Sequence, residues 1–294
     1  MSTKPNDSLL ELLHDSREEK LLSVYITAGF PCLEDTMPDM KTLARSGVDF
    51  LEIGMPFSDP LADGPVIQQS STIALQNGMS LGVLFEQLSA FNGIMPAPSL
   101  LMGYLNPVLC FGLEAFCQKA RAVGISGVIL PDLPMREYLE SYRKVFQKHR
   151  LHFIFLVTPT TPESRIRQID EVSTAFIYVV GSSSTTGNQH SDHGRETYLK
   201  RLLDMNLKTP LVVGFGISNA TSLQQAWRYA KGAITGTAYI GRRMKGQSPD
   251  KAVSELFHQL GLKPRSTSDR QAQTPEAETT VEAFKPLTSK LYIP

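Results

Sequence analysis

Along this chain, short runs of β-branched and other apolar residues alternate with segments whose apolar positions recur every three to four residues. The first pattern reads as buried strands and the second as amphipathic helices. Strands are predicted over residues 22–28, 48–53, 98–104, 127–131, 152–157, 175–180, 210–215 and 233–235. Helical segments are predicted over 33–46, 66–76, 81–91, 113–122, 137–148, 162–172, a stretch near 196–205, 220–230 and 249–260. The strands are almost continuously apolar, as in a parallel sheet covered on both faces. Eight strand–helix units in about 260 residues fit a single-domain (β/α)8 barrel better than an open doubly wound sheet. In such a barrel the candidate site lies at the C-terminal ends of the strands. The unit lengths vary, so no short solenoid repeat is present.

The alternation stops near residue 263. Residues 263–287 are rich in Ser, Thr, Gln, Glu and Pro, a composition that predicts a disordered tail. The reading is therefore a barrel over 1–262 and a low-complexity tail over 263–294, whose last residues, Leu287 to Pro294, are more apolar. Charge is balanced, with 29 basic and 29 acidic residues, which gives no field for nucleic acid or an anionic membrane. The polar start is not a secretory signal, and no apolar run approaches the roughly 20 residues needed to span a bilayer. Three cysteines, Cys32, Cys110 and Cys117, have no metal-ligand spacing and read as reduced thiols of a cytoplasmic protein. His190 and His193 lie in a polar loop with no third ligand in view, so no metal site is expected. Trp227, the single tryptophan, reads as an outer-layer packing residue.

The strand ends carry the candidate chemistry. The second strand holds Glu52, one charge among apolar neighbours, and breaks into Gly54-Met55-Pro56-Phe57-Ser58-Asp59-Pro60-Leu61-Ala62-Asp63-Gly64-Pro65. An unpaired buried carboxylate is costly, so a second one, Asp63, near the same strand end suggests acid/base work. Glu52, in an apolar strand end, should have raised proton affinity, and Asp63, in a polar loop, should stay ionised. Gly216 follows the seventh strand, and Gly236 with Thr237 follows the eighth. Glycine turns at those two strands, with a short helix N-terminus, form the common phosphate site of barrels.

At these motifs the chain resembles the tryptophan synthase α-subunit family. The resemblance rests on LEIG followed by PFSDPLADGP, then GYLNPV, LPDLP, the TTG after the sixth strand, GFGIS and GAITGT, in order over residues 8–262. It implies retro-aldol cleavage of indole-3-glycerol phosphate to indole and glyceraldehyde 3-phosphate, without metal or cofactor in this chain. Glu52 then matches the acid/base that serves indole C3 and the side-chain hydroxyl, and Asp63 the acceptor for the ring N1–H. Tyr25, Tyr104, Tyr178 and Phe215 match ring- or site-lining positions, and Asp132 the acidic residue of the fourth-strand loop. Thr186 matches a loop threonine that closes over the site, and Gly187, Gly216, Gly236 and Thr237 match the phosphate site. Pro56, Asp59 and Asn106 match positions facing a β subunit. That partner would carry pyridoxal phosphate in an α2β2 heterotetramer.

The chain departs from the pattern at Gly181-Ser182-Ser183-Ser184, where better-known members carry an Arg-bearing segment. The change bears on the loop's motion and coupling. Two other readings remain open at this point: a regulatory subunit that activates the β chain, and a different phosphate-handling barrel such as a sugar-phosphate isomerase.

Overall fold

The computed structural model describes residues 7–15, 19–181 and 192–264. Nine parallel strands run β1 (Leu21–Thr27), β2 (Phe50–Gly54), β3 (Ser99–Met102), β4 (Gly127–Ile129), β5 (His152–Phe153), β6 (Phe155–Val157), β7 (Ile177–Val179), β8 (Leu211–Val213) and β9 (Gly232–Thr235). Their order is β5-β4-β3-β2-β1-β9-β8-β7-β6. The two ends of that ladder are consecutive in the chain. Ile154 N–H still donates to the Val128 carbonyl on β4 at 3.0 Å, whereas Phe155 pairs with Ile177 on β7. The fifth barrel strand is therefore β5 and β6 together, and its change of partner closes the sheet into the expected (β/α)8 barrel.

Most strands are shorter than their apolar runs, although β1 equals its run in length and β9 exceeds its own by a residue. Ala28, Tyr104, Leu130, Val180 and Phe215 follow the ladder rather than belong to it, because the chain there turns outward into the loops that shape the barrel mouth. Helices form where local signals start them. Pro65 and Pro249 occupy first-turn positions, where a missing N–H costs nothing. Ser80 and Asn219 cap the helices Leu81–Ser89 and Ala220–Tyr229 with their side chains, which satisfies free N–H groups of the first turn.

Three helices go beyond the sequence reading. Asp7–His14 buries Leu9 and Leu13 in the core. Leu105–Phe111 starts inside GYLNPV, with Pro107 in its first turn, and Thr237–Met244 begins immediately after β9. The segment expected as one helix over 137–148 contains a wider π turn, Tyr138–Tyr142, and Tyr138 stacks on Phe153 with ring centroids 4.3 Å apart. Trp227 donates its indole N–H to the Leu21 carbonyl at 2.9 Å, so it ties an outer helix to the first strand. Among the described residues, no helix is long and apolar enough to cross a membrane.

Candidate active site

The barrel interior fixes the site. Phe50 on β2 and Phe176, which precedes β7, lie far apart in the ladder, yet their rings approach to 5.8 Å. That contact spans the lumen, so the faces carrying Phe50 and Phe176 point inward. Side chains two residues on share a face, which brings Glu52 and Tyr178 inward above them. Tyr25 on β1 is in register with Glu52. Two glycines make room for the phenols. A Cβ on Gly54 would sit 1.9 Å from the Tyr25 hydroxyl, and one on Gly214 would sit 2.1 Å from that of Tyr178. Neither distance is compatible with any other residue type unless the ring moves.

Glu52 is wholly buried. Neither carboxylate oxygen has a hydrogen-bond partner among the described residues. Burial raises its pKa to about 8, the charge of Asp63 adds to the rise, and the nearby Tyr178 hydroxyl opposes it. The hydrogen bond of that hydroxyl goes to the Gly214 carbonyl, at 3.3 Å, which leaves Glu52 free to bond a ligand. At neutral pH Glu52 is thus mainly a neutral acid, able to give a proton and take one back.

Asp63 is held more tightly than its polar loop suggests. The Tyr104 hydroxyl donates to Oδ2 at 3.1 Å and accepts from the Ala62 N–H at 2.9 Å. The Phe57 and Tyr104 rings lie 5.2 Å apart beside it. Burial raises the Asp63 pKa to about 6, partly offset by the Tyr104 hydrogen bond. It remains largely ionised at pH 7, as expected, but it titrates well above an ordinary aspartate. A narrow cleft lined by Tyr25, Met55, Phe57, Asp63, Met102 and Tyr104 opens here. Aromatic and methionine surface beside a carboxylate suits a flat heteroaromatic ring with one N–H.

The glycine turns lie on the loops after β8 and β9, on the far side of β1 from β2 in the ladder. Gly216 has φ +67°, a left-handed conformation that favours glycine. Gly236 precedes the helix Thr237–Met244, and a Cβ there would come within 3.1 Å of the Tyr25 Cβ. Thr237 is exposed at the first position of that helix, whose free N–H groups and positive end suit an anion.

Of the residues singled out from sequence, Glu52, Asp63, Tyr25, Tyr104 and Tyr178 converge on one volume, with Phe215, Gly216, Gly236 and Thr237 on the loops after β8 and β9. Thr186, Gly187 and His190 lie outside the described residues. Asp132 accepts the Leu105 N–H at 3.0 Å, so it caps the helix that follows Tyr104. Asp59 and Asn106 are exposed and Pro56 half-buried on neighbouring loops. Among the described residues no acidic, His and Cys cluster could hold a metal. The three cysteines are free, Cys117 in the core and the other two exposed. The sequence reading missed Met55, Phe57 and Met102 as cleft walls, and Arg195 as a neighbour of Gly216. Only Phe57, inside the PFSDP motif, carried a signal that could have found it.

The chain matches the family model for the tryptophan synthase alpha chain over residues 12–264. It is 49% identical over 243 residues to the tryptophan synthase alpha chain of Flavobacterium psychrophilum, covering 82% of this chain and 96% of that one. It is 46% identical over 251 residues to the alpha chain of Bacteroides fragilis, covering 85% and 95%. Among solved structures, the alpha chain of Legionella pneumophila superposes with a TM-score of 0.76 at 32% identity, covering 88% of this chain and 96% of that one. An aminoacrylate-bound tryptophan synthase of M. tuberculosis gives 0.75 at 28%, covering 88% and 99%. With the barrel, its buried Glu52 beside Asp63 and these matches in agreement, the chain belongs to the tryptophan synthase alpha chain family and catalyses the α reaction of tryptophan biosynthesis, the cleavage of indole-3-glycerol phosphate.

Proposed function

We propose that Glu52 and Asp63 divide the work of that cleavage. The observation that carries this reading is the wholly buried Glu52 carboxyl, without a hydrogen-bond partner among the described residues, beside a second carboxylate. Neutral Glu52 protonates indole C3, and the ring becomes an iminium with positive charge at N1–H. Ionised Asp63 accepts the N1–H hydrogen bond and stabilises that charge. The carboxylate left on Glu52 then takes the proton of the adjacent side-chain hydroxyl. The hydroxyl becomes the aldehyde carbonyl as the carbon–carbon bond breaks, and the bonding pair returns to the ring. Glu52 ends protonated as it began, and no external acid is consumed. Tyr25, Met55, Phe57, Met102 and Tyr104 enclose the ring. Gly216, Gly236 and Thr237 take the phosphate, as does Gly187 in the sequence reading, where Thr186 closes over the site.

The same reading gives the chain a β-subunit partner that carries the pyridoxal phosphate, in an α2β2 assembly. The loop after β2 and the helix Leu105–Phe111 supply the docking face. Besides Pro56, Asp59 and Asn106, they expose Leu61 and Leu109, apolar surface suited to burial in a partner. Free thiols, two of them exposed, fit a reducing compartment, and we place the chain in the cytoplasm.

Indole release from indole-3-glycerol phosphate, measured with the chain alone and with a tryptophan synthase β subunit, tests the reading. Slow release alone that rises strongly with the partner is expected. No release in either case from folded protein would instead favour a regulatory subunit.

A further inference from the structure

We propose that Arg195 is a positioning residue for the substrate phosphate, acting through the loop after β8; this rests on the phosphate reading just given. Arg195 lies in the first turn of the helix Asp192–Asp204. Its guanidinium forks onto two successive carbonyls, with Nη2 donating to Phe215 O at 3.0 Å and Nη1 to Gly216 O at 3.3 Å. The approach is close: a Cβ on Gly216 would lie 3.0 Å from Nη1.

The consequence follows from the peptide unit. A trans peptide carries its C=O and N–H in opposite directions. Holding the Phe215 and Gly216 carbonyls on one side turns the N–H groups of Gly216 and Ile217 to the other. Successive N–H groups at a left-handed residue form a concavity that binds anions. Among the described residues, no other hydrogen bond reaches those two carbonyls.

Charge points the same way. A phosphate monoester carries nearly two negative charges at pH 7, and a helix N-terminus such as that at Thr237 supplies roughly half a positive charge. Arg195 adds a full one beside the same loop. Its turn is anchored, since Glu196 accepts from the Tyr229 hydroxyl at 2.7 Å and pairs with Arg228 at 3.5 Å, and Tyr198 and Leu199 are buried. Lysine could supply the charge but not a planar fork across two carbonyls.

The test measures inhibition of the α reaction by inorganic phosphate, together with KM and kcat for indole-3-glycerol phosphate, in the wild type, Arg195→Gln and Arg195→Lys, with melting temperatures alongside. Arg195→Gln is expected to weaken phosphate inhibition about tenfold and raise KM similarly, with kcat within about threefold, the scale of losing charge-assisted hydrogen bonds. Arg195→Lys should recover less than half of that loss, and it carries the test if the glutamine variant does not fold. Phosphate inhibition and KM unchanged in folded Arg195→Gln would overturn the proposal, as would full recovery by lysine, which would show that charge alone suffices. A wild type that phosphate does not inhibit would overturn the phosphate reading itself. That outcome is distinct from inhibition that is present and indifferent to residue 195.

Discussion

Glu52→Gln lowers kcat for indole release by about 10³-fold, within the range for removing a general acid–base group, and it makes the protein more stable at high pH. The two effects have one cause. The glutamate is wholly buried and its oxygens find no partner among the described residues, so the fold holds it as the neutral acid, with its pKa raised from 4.5 to about 8. A carboxyl whose folded pKa exceeds its unfolded value costs no stability below about pH 4.5. Stability then falls as pH rises toward 8, where the folded protein must keep a proton that the unfolded chain has lost. A rise from 4.5 to about 8 corresponds to a few kcal/mol. Glutamine has no proton to lose, so the variant and wild type should melt together near pH 4.5 and separate progressively up to about pH 8. Thermal melts across that range, with activity at each pH, check both halves. A variant that is inactive but also less stable at pH 8 would make Glu52 a structural residue.

Asp63→Asn lowers kcat by roughly 10²- to 10³-fold, the usual scale for losing one preorganised electrostatic partner of a transition state. Asparagine can still accept the ring N1–H bond, so KM should change little. What it lacks is the negative charge that opposes the developing cation. The substitution also reports on Glu52, because the charge of Asp63 is one cause of its raised pKa. In Asp63→Asn the pKa of Glu52 therefore falls. The alkaline limb of the residual activity should shift to lower pH, as measured by rate–pH profiles of both proteins. A variant with near wild-type kcat would remove Asp63 from the chemistry.

Much of this was legible in the chain. The barrel follows from eight alternating units, because a continuous apolar strand needs cover on both faces and only a few architectures provide it. Glu52 was visible because a lone charge in such a strand is expensive. The parts that escaped depend on contacts between distant segments. Helix Leu105–Phe111 is hidden by its Asn-Pro and is capped by Asp132 from the next loop, a partner no local window contains. Asp63 reads as solvated because its neighbours are Ala, Gly and Pro, whereas in the fold Tyr104 and Phe57 from beside it reduce its contact with water. The roles of Gly54 and Gly214 need the curvature of the barrel, which brings Tyr25 and Tyr178 over them. Arg195 escaped because the carbonyls it binds, those of Phe215 and Gly216, belong to the loop after β8, 20 and 21 residues further along the chain.

The pH dependence of kcat/KM for indole-3-glycerol phosphate tests the division of labour most directly. The free enzyme should follow a bell, rising through about 6 as Asp63 ionises and falling through about 8 as Glu52 loses its proton; the two limbs belong to the interacting pair. Loss of the lower limb in Asp63→Asn would assign it to that residue. A wild-type profile that is flat from pH 5 to 9, with the protein folded throughout, would contradict the account.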